Sequence, residues 1–152
     1  MPDLSRDDAR RDELEALYRE VVLDHYRNPR HRTALARPSG AAQVANPVCG
    51  DQVQVEVELS GGRIADVSAR ARGCSIAVAS GSVMTELVLG ASPGEAAALG
   101  DALGRVVRGE PALGALDARL RAFARLASLP SRQRCATLAW EALAEALAAP
   151  AR

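Results

Sequence analysis

From Gln52 the chain alternates strictly. Val53, Val55, Val57 and Leu59 fall on one side, and Gln52, Gln54, Glu56 and Glu58 on the other. That period of two predicts a half-buried antiparallel strand. Ser60-Gly61-Gly62 reads as a turn, and Arg63 to Arg72 alternates again through Ile64, Val67 and Ala69, which makes the pair a hairpin. Ala41 to Ala45 is expected to add a third, edge strand. Elsewhere the apolar period is helical. Leu14, Leu17, Val21 and Val22 form one stripe on a helix from about Arg6 to Arg27, which Asn28-Pro29 ends. A basic, proline-containing connector follows, from Arg30 to Gly40.

A second helix begins near Ser75, after Gly73 breaks the strand, and runs through Ile76, Val83, Met84, Leu87 and Val88 to Gly90. Ser92-Pro93-Gly94-Glu95 opens a third, with Ser92 as N-cap, Pro93 at the first position and Glu95 completing a capping box. It ends around Arg108-Gly109. Glu110 to Ser128 is looser and holds one short helix. Pro130 to Arg132 leads into a last helix that reaches about Ala148. Helices packed on a small antiparallel sheet of about three strands make an α+β fold. Residues 1–152 read as one domain, with 1–11 set apart as a flexible N-terminal extension.

Composition narrows the function classes. Nineteen basic side chains balance nineteen acidic ones, so net charge offers no argument for nucleic acid or an anionic membrane. Every basic residue other than histidine is arginine, which removes lysine Schiff-base chemistry. No apolar run approaches the roughly 20 residues of a membrane span. The charged start, Met1 to Asp8, lacks the apolar segment of a signal peptide, so the expected location is cytoplasmic. An odd number of cysteines in a reducing compartment points to metal or thiol chemistry rather than disulfides.

The three cysteines stand in separate motifs: Asn46-Pro47-Val48-Cys49-Gly50-Asp51, Gly73-Cys74-Ser75, and Arg132-Gln133-Arg134-Cys135-Ala136. With Asp51 they supply three thiolates and one carboxylate, a donor count that suits one tetrahedral zinc ion. The intervals, 25 and 61 residues, are too long for a local finger, so a shared site must be assembled by the fold. Cys49 lies in a tight loop shaped by Pro47 and Gly50. Cys74 lies at a helix start, where the partial positive charge favours a thiolate. Cys135 is expected at the start or in the first turn of the last helix, with Arg132 and Arg134 favouring its thiolate. His25, near the end of the first helix, reads as a cation suited to the helix dipole, His31 as part of a solvated basic patch, and Trp140 as a core anchor.

These motifs, together with Leu17-Tyr18-Arg19-Glu20-Val21-Val22-Leu23-Asp24-His25-Tyr26-Arg27-Asn28-Pro29-Arg30, carry a resemblance. The chain resembles the SufU proteins, zinc-containing relatives of the IscU iron–sulfur scaffold, over nearly its whole length. IscU-type scaffolds carry histidine directly before the third cysteine; here the residue is Arg134. The longer interval to Cys135, with extra residues in the Gly104 to Ser128 region, is also SufU-like, as is Arg-x-x-Cys-Ala-x-Leu-Ala-Trp.

The resemblance implies a SufU/IscU-like α+β fold and a zinc ion on Cys49, Asp51, Cys74 and Cys135. It implies a zinc-dependent sulfurtransferase that accepts persulfide sulfur from a SufS-type cysteine desulfurase, itself a pyridoxal phosphate enzyme, and feeds a downstream iron–sulfur assembly scaffold. Cys49 is the expected sulfur acceptor, because its turn lets the thiol swing outward with little strain. A ligand swap in the docked complex would free it. The alternative is a scaffold on which the same donors hold an iron–sulfur cluster before transfer.

Overall fold

The computed structural model describes residues 4–148. Strands β1 (Gly40–Ala45), β2 (Gln52–Ser60) and β3 (Arg63–Arg72) form an antiparallel sheet in the order β1-β2-β3. Val55 stands opposite Ala42 on one side and Ala69 on the other. Gly61 and Gly62 both take positive φ, 60° and 76°, as a two-residue hairpin loop requires. The predicted alternation holds: Val53, Val55 and Val57 are buried, while Gln52 and Gln54 are exposed. A register shift at Glu58/Leu59 leaves Leu59 only partly buried.

Helix α1 (Leu4–Arg27) is followed by the connector, then the sheet, then α2 (Ser75–Val88), α3 (Pro93–Val107), α4 (Ala118–Arg121), a 3-10 segment (Ala122–Ser128) and α5 (Pro130–Ala148). The described part of the N-terminal stretch, from Leu4, is therefore helical. Met1–Asp3 lie outside the described residues. The Ser92 capping box on α3 is complete, with Glu95 N–H donating to Ser92 Oγ at 3.1 Å.

The valine face of the sheet is covered by helices, with α5 on β1 and β2 and α2 on β3. At Gly81 a Cβ would already stand 3.6 Å from Ala69 Cβ and 3.7 Å from Ala139 Cβ, so α2 is clamped between β3 and α5. Ile76, Val83, Met84 and Val88 of α2 join the core with Leu138, Ala139 and Leu143 of α5. Ser80, fully buried, donates its hydroxyl to the Ala136 carbonyl at 2.5 Å, which pins α2 to α5 one residue past Cys135. Trp140 is buried on α5, as predicted.

The segment between α3 and α5 is more ordered than its composition suggests. Asp117 caps α4, and Phe123 and Leu126 of the 3-10 segment are fully buried. That segment packs on α1, with Arg125 paired to Glu15 and its guanidinium 5.5 Å from the Tyr18 ring centre, and Arg121 at the end of α4 pairs with Glu13. Among the described residues no helix is long and apolar enough to cross a membrane.

His25 corrects one expectation. It lies in the last turn of α1, as expected, but it is buried, which disfavours the expected cation. Its Nδ1 lies 2.7 Å from Ser82 Oγ on α2, and its Nε2 lies 3.3 Å from Glu86. Ser82 Oγ also accepts from the Arg30 backbone N–H. Ser82 Oγ thus links the Arg30 backbone to the His25 ring, whose other nitrogen faces Glu86. Burial first, then the Arg30 guanidinium, lowers the His25 pKa below the ordinary 6.5 against the pull of Glu86 and Asp24. Sequence position places His25 at a helix end; only packing of α1 on α2 buries it.

Candidate metal centre

The first donor loop is built by Asn46. Its backbone N–H donates to the Asp51 carbonyl at 2.8 Å, and its carbonyl accepts from the Gly50 N–H at 2.8 Å. Its side-chain Oδ1 accepts from the Val48 N–H at 3.1 Å, an Asx turn. Asn46 is buried, and Gly50 takes a φ of 77°. The loop thus folds tightly between β1 and β2, holding Cys49 outward, exposed, and Asp51 inward at 2% exposure. Val48 beside Cys49 is 93% exposed.

The second donor sits where β3 gives way to α2. Cys74 is the N-cap residue of α2, as the sequence predicts. Its backbone N–H donates to Asp51 Oδ1 at 3.0 Å, and its Sγ lies 3.4 Å from Asp51 Oδ2. Gly73 makes this approach possible. Its φ is 133°, and a Cβ there would overlap the Asp51 carboxylate.

The third donor departs from expectation. α5 begins at Pro130, so Cys135 is in its second turn and 1% exposed, not in the first turn. The Arg134 guanidinium turns to Glu141, 3.4 Å away on the exposed face of the helix. Arg134 therefore does not supply the thiolate-favouring charge expected of it. Burial first, then hydrogen bonding to Asp51 and Cys74, pushes the Cys135 thiol far above its ordinary range.

Asp51 is the hub. Burial opposes its ionisation, but hydrogen bonds from the Cys74 backbone N–H and from the Cys135, Cys49 and Cys74 thiols outweigh that and hold its pKa below the ordinary 3.8. Donor atoms of Cys49, Asp51 and Cys135 lie within 4.8 Å of one another; Cys74 stands outside that cluster and meets it at Asp51. Neighbouring ligands of a tetrahedral zinc with sulfur bonds near 2.3 Å are roughly 3.8 Å apart, so closing Cys49, Asp51 and Cys135 on an ion asks for at most about 1 Å of movement. Three thiols and a carboxylate, of which Asp51 and Cys135 are buried, are the donor chemistry a zinc ion takes, and a cation there would favour the Cys135 thiolate that burial and its acidic neighbours disfavour.

Two neighbours carry no signal in the cysteine motifs. Tyr18 of α1 is within electrostatic reach of Cys74, with burial raising its pKa, Arg125 opposing, Cys74 raising it and Arg132 opposing. Arg125 comes from the 3-10 segment, far away in sequence. The structuring role of Asn46 is legible only as an Asn-Pro turn signal. His31 is exposed in the connector, outside the centre, where its carbonyl accepts from the Ala69 N–H at 2.9 Å.

Comparison with known proteins places this arrangement. Residues 17–101 match the family model for the NifU-like N terminal domain. The iron-sulfur cluster assembly scaffold protein IscU of Streptococcus pyogenes serotype M1 is 41% identical over 137 residues, spanning 88% of this chain and 84% of the relative. The zinc-dependent sulfurtransferase SufU of Bacillus subtilis is 33% identical over 136 residues, 89% of this chain and 92% of the relative. The crystal structure of a nitrogen-fixing NifU-like protein (N-terminal) from Brucella abortus superposes with a TM-score of 0.79 at 26% identity, covering 89% of this chain and 94% of that one. The chain belongs to the NifU-like N-terminal domain family, among the IscU and SufU proteins of iron–sulfur cluster assembly.

Proposed function

We propose that this protein is a zinc-dependent sulfurtransferase that takes sulfur from the persulfide of a SufS-type cysteine desulfurase and passes it to a downstream iron–sulfur assembly scaffold in the cytoplasm. The observation that carries the reading is an exposed thiol, Cys49, clustered with the buried Asp51 and Cys135, with the half-buried Cys74 against Asp51. Those four residues would be the zinc ligands. Zinc bound there would hold the sulfurs as thiolates and shield them from attack until a partner docks.

The chain's own residues account for the acceptor step. The Cys49 thiolate attacks the terminal sulfur of the donor persulfide. A new S–S bond forms on Cys49, the donor's S–S bond breaks, and the donor cysteine leaves as a thiolate while the terminal sulfur keeps its proton. No net oxidation occurs. Exposure of Cys49 and Val48 gives a docked partner access, and the Asn46 hydrogen bonds hold the loop's base while its tip moves.

A second reading, a scaffold that binds a cluster on the same donors, draws support from the 41% identity to a protein named as an IscU scaffold. Against it, the residue before Cys135 sends its side chain to Glu141, which leaves Asp51 as the oxygen donor facing the thiols. The test mixes the full chain with a SufS-type desulfurase and cysteine. Stimulated alanine release, with a gain of about 32 Da on the Cys49 peptide that Cys49→Ser abolishes, is expected. A brown, iron-loaded protein that never carries added sulfur on Cys49 would favour the scaffold.

A further inference from the structure

Cys135 has no route to solvent-borne reagents at 1% exposure, yet its sulfur lies within 4.8 Å of the exposed Cys49 sulfur. We infer that Cys135 is a resolving thiol, which attacks sulfur-loaded Cys49 and discharges the transferred sulfur as sulfide. The inference rests on the reading of Cys49 as sulfur acceptor and adds a second product to it.

The placement selects the reaction. A persulfide on Cys49 has an inner sulfur, bonded to Cβ, and an outer one. Cys135 is buried in the second turn of α5, whereas Cys49 is the exposed cysteine of the three. Cys135 therefore meets the inner sulfur, with the outer sulfur pointing toward solvent as the leaving group. The bond from Cys135 Sγ to Cys49 Sγ forms, the Cys49 S–S bond breaks, and the outer sulfur departs with both protons as hydrogen sulfide. The outer sulfur is reduced and the two cysteines are oxidised to one disulfide, so no outside reductant enters the step. An external thiol of the cell then reduces the disulfide to restore the acceptor.

Reaching S–S bonding distance, about 2.05 Å, asks the two sulfurs to close by roughly 3 Å. Cys135 is held on α5, and the Ser80 bond to the Ala136 carbonyl fixes that turn to α2. The movement falls to Cys49, whose loop turns at Gly50 and carries an exposed Val48. Cys74 is less suited. It stands outside the three-residue cluster of Cys49, Asp51 and Cys135, and its backbone is tied to Asp51.

The experiment uses the full chain with zinc removed by a chelator and folding checked by circular dichroism, since zinc would hold both sulfurs; Cys49 is loaded with sodium tetrasulfide and the protein desalted, so that it does not depend on a desulfurase. Sulfide release over time and the disulfide map are read together by mass spectrometry. Stoichiometric sulfide with a Cys49–Cys135 linked peptide is expected, with release falling at least tenfold in Cys135→Ser but not in Thr137→Ala, a change on the same helix outside the donor centre. Circular dichroism of both variants separates misfolding from loss of the thiol, and the disulfide map of the unmodified chain decides independently of either. A persulfide that persists on Cys49, a Cys49–Cys74 bridge, or added sulfur found on Cys135 would each overturn the inference. Failure of desulfurase to load Cys49, with tetrasulfide loading followed by resolution, would overturn the proposed donor and leave the resolving role standing.

Discussion

Gly73 and Asp51 occupy complementary space. The missing side chain of Gly73 is where the Asp51 carboxylate lies, and that carboxylate in turn accepts from the Cys74 N–H at 3.0 Å. A glycine that reads as a strand breaker is thus part of the donor centre.

Gly73→Ala should push the carboxylate out of its seat and strain a backbone held at a φ of 133°. Zinc affinity, measured by competition with a chromogenic chelator, is expected to fall about 10–100-fold, the usual cost of disturbing a ligand's support. Backbone strain of about 1–3 kcal/mol should lower stability as well. Wild-type affinity in the variant would show that Asp51 does not depend on this contact.

Asn46→Ala removes the acceptor for the Val48 N–H while leaving the backbone bonds of the loop. A cost of about 1 kcal/mol is expected from the lost hydrogen bond. Faster amide exchange should be confined to residues 47–50. Slower exchange there, or a change spread across the sheet, would contradict a local anchoring role.

The buried imidazole of His25 makes stability depend on pH. Because its pKa is lowered on folding, the unfolded chain binds more protons between the two values. Its contribution is present in full above the unfolded value of about 6.5 and is lost as pH falls below it. Urea midpoints should drop from pH 7.5 to pH 5.5, and His25→Gln should flatten that slope even if it lowers the midpoint overall. An equal slope in both proteins would assign the effect to other groups. Glu86, Asp24, Arg30 and Arg119 all act on this ring.

Removal of zinc should destabilise the fold. The proposed ligands tie the β1–β2 loop, the start of α2 and the second turn of α5, and a metal bound only by the native state adds stability by mass action. At a zinc concentration 100 times the dissociation constant the gain is about 2.7 kcal/mol. Melting curves with and without a chelator, on protein of verified metal content, should separate; identical curves would exclude a folding role.

The sequence by itself determined what depends on short range. The β2–β3 hairpin follows from strict alternation around Gly61-Gly62, and the α3 start from Ser92-Pro93-Gly94-Glu95, because strand period, turn glycines and capping bonds involve residues a few positions apart. The cysteine motifs and Asp51 were legible as donors because thiol and carboxylate chemistry travels with the residue. Their convergence, with three donor atoms within 4.8 Å and Asp51 facing every thiol, belongs to the tertiary structure alone. So do the burial of His25 against Ser82, the descent of Cys135 into the second turn of α5, and the room Gly73 leaves for Asp51. Each joins segments that sequence separates, and packing of α1, α2 and α5 over the sheet decides which side chains meet and which lose water. Those two outcomes set each group's charge, and they come from long-range contacts that no local period encodes.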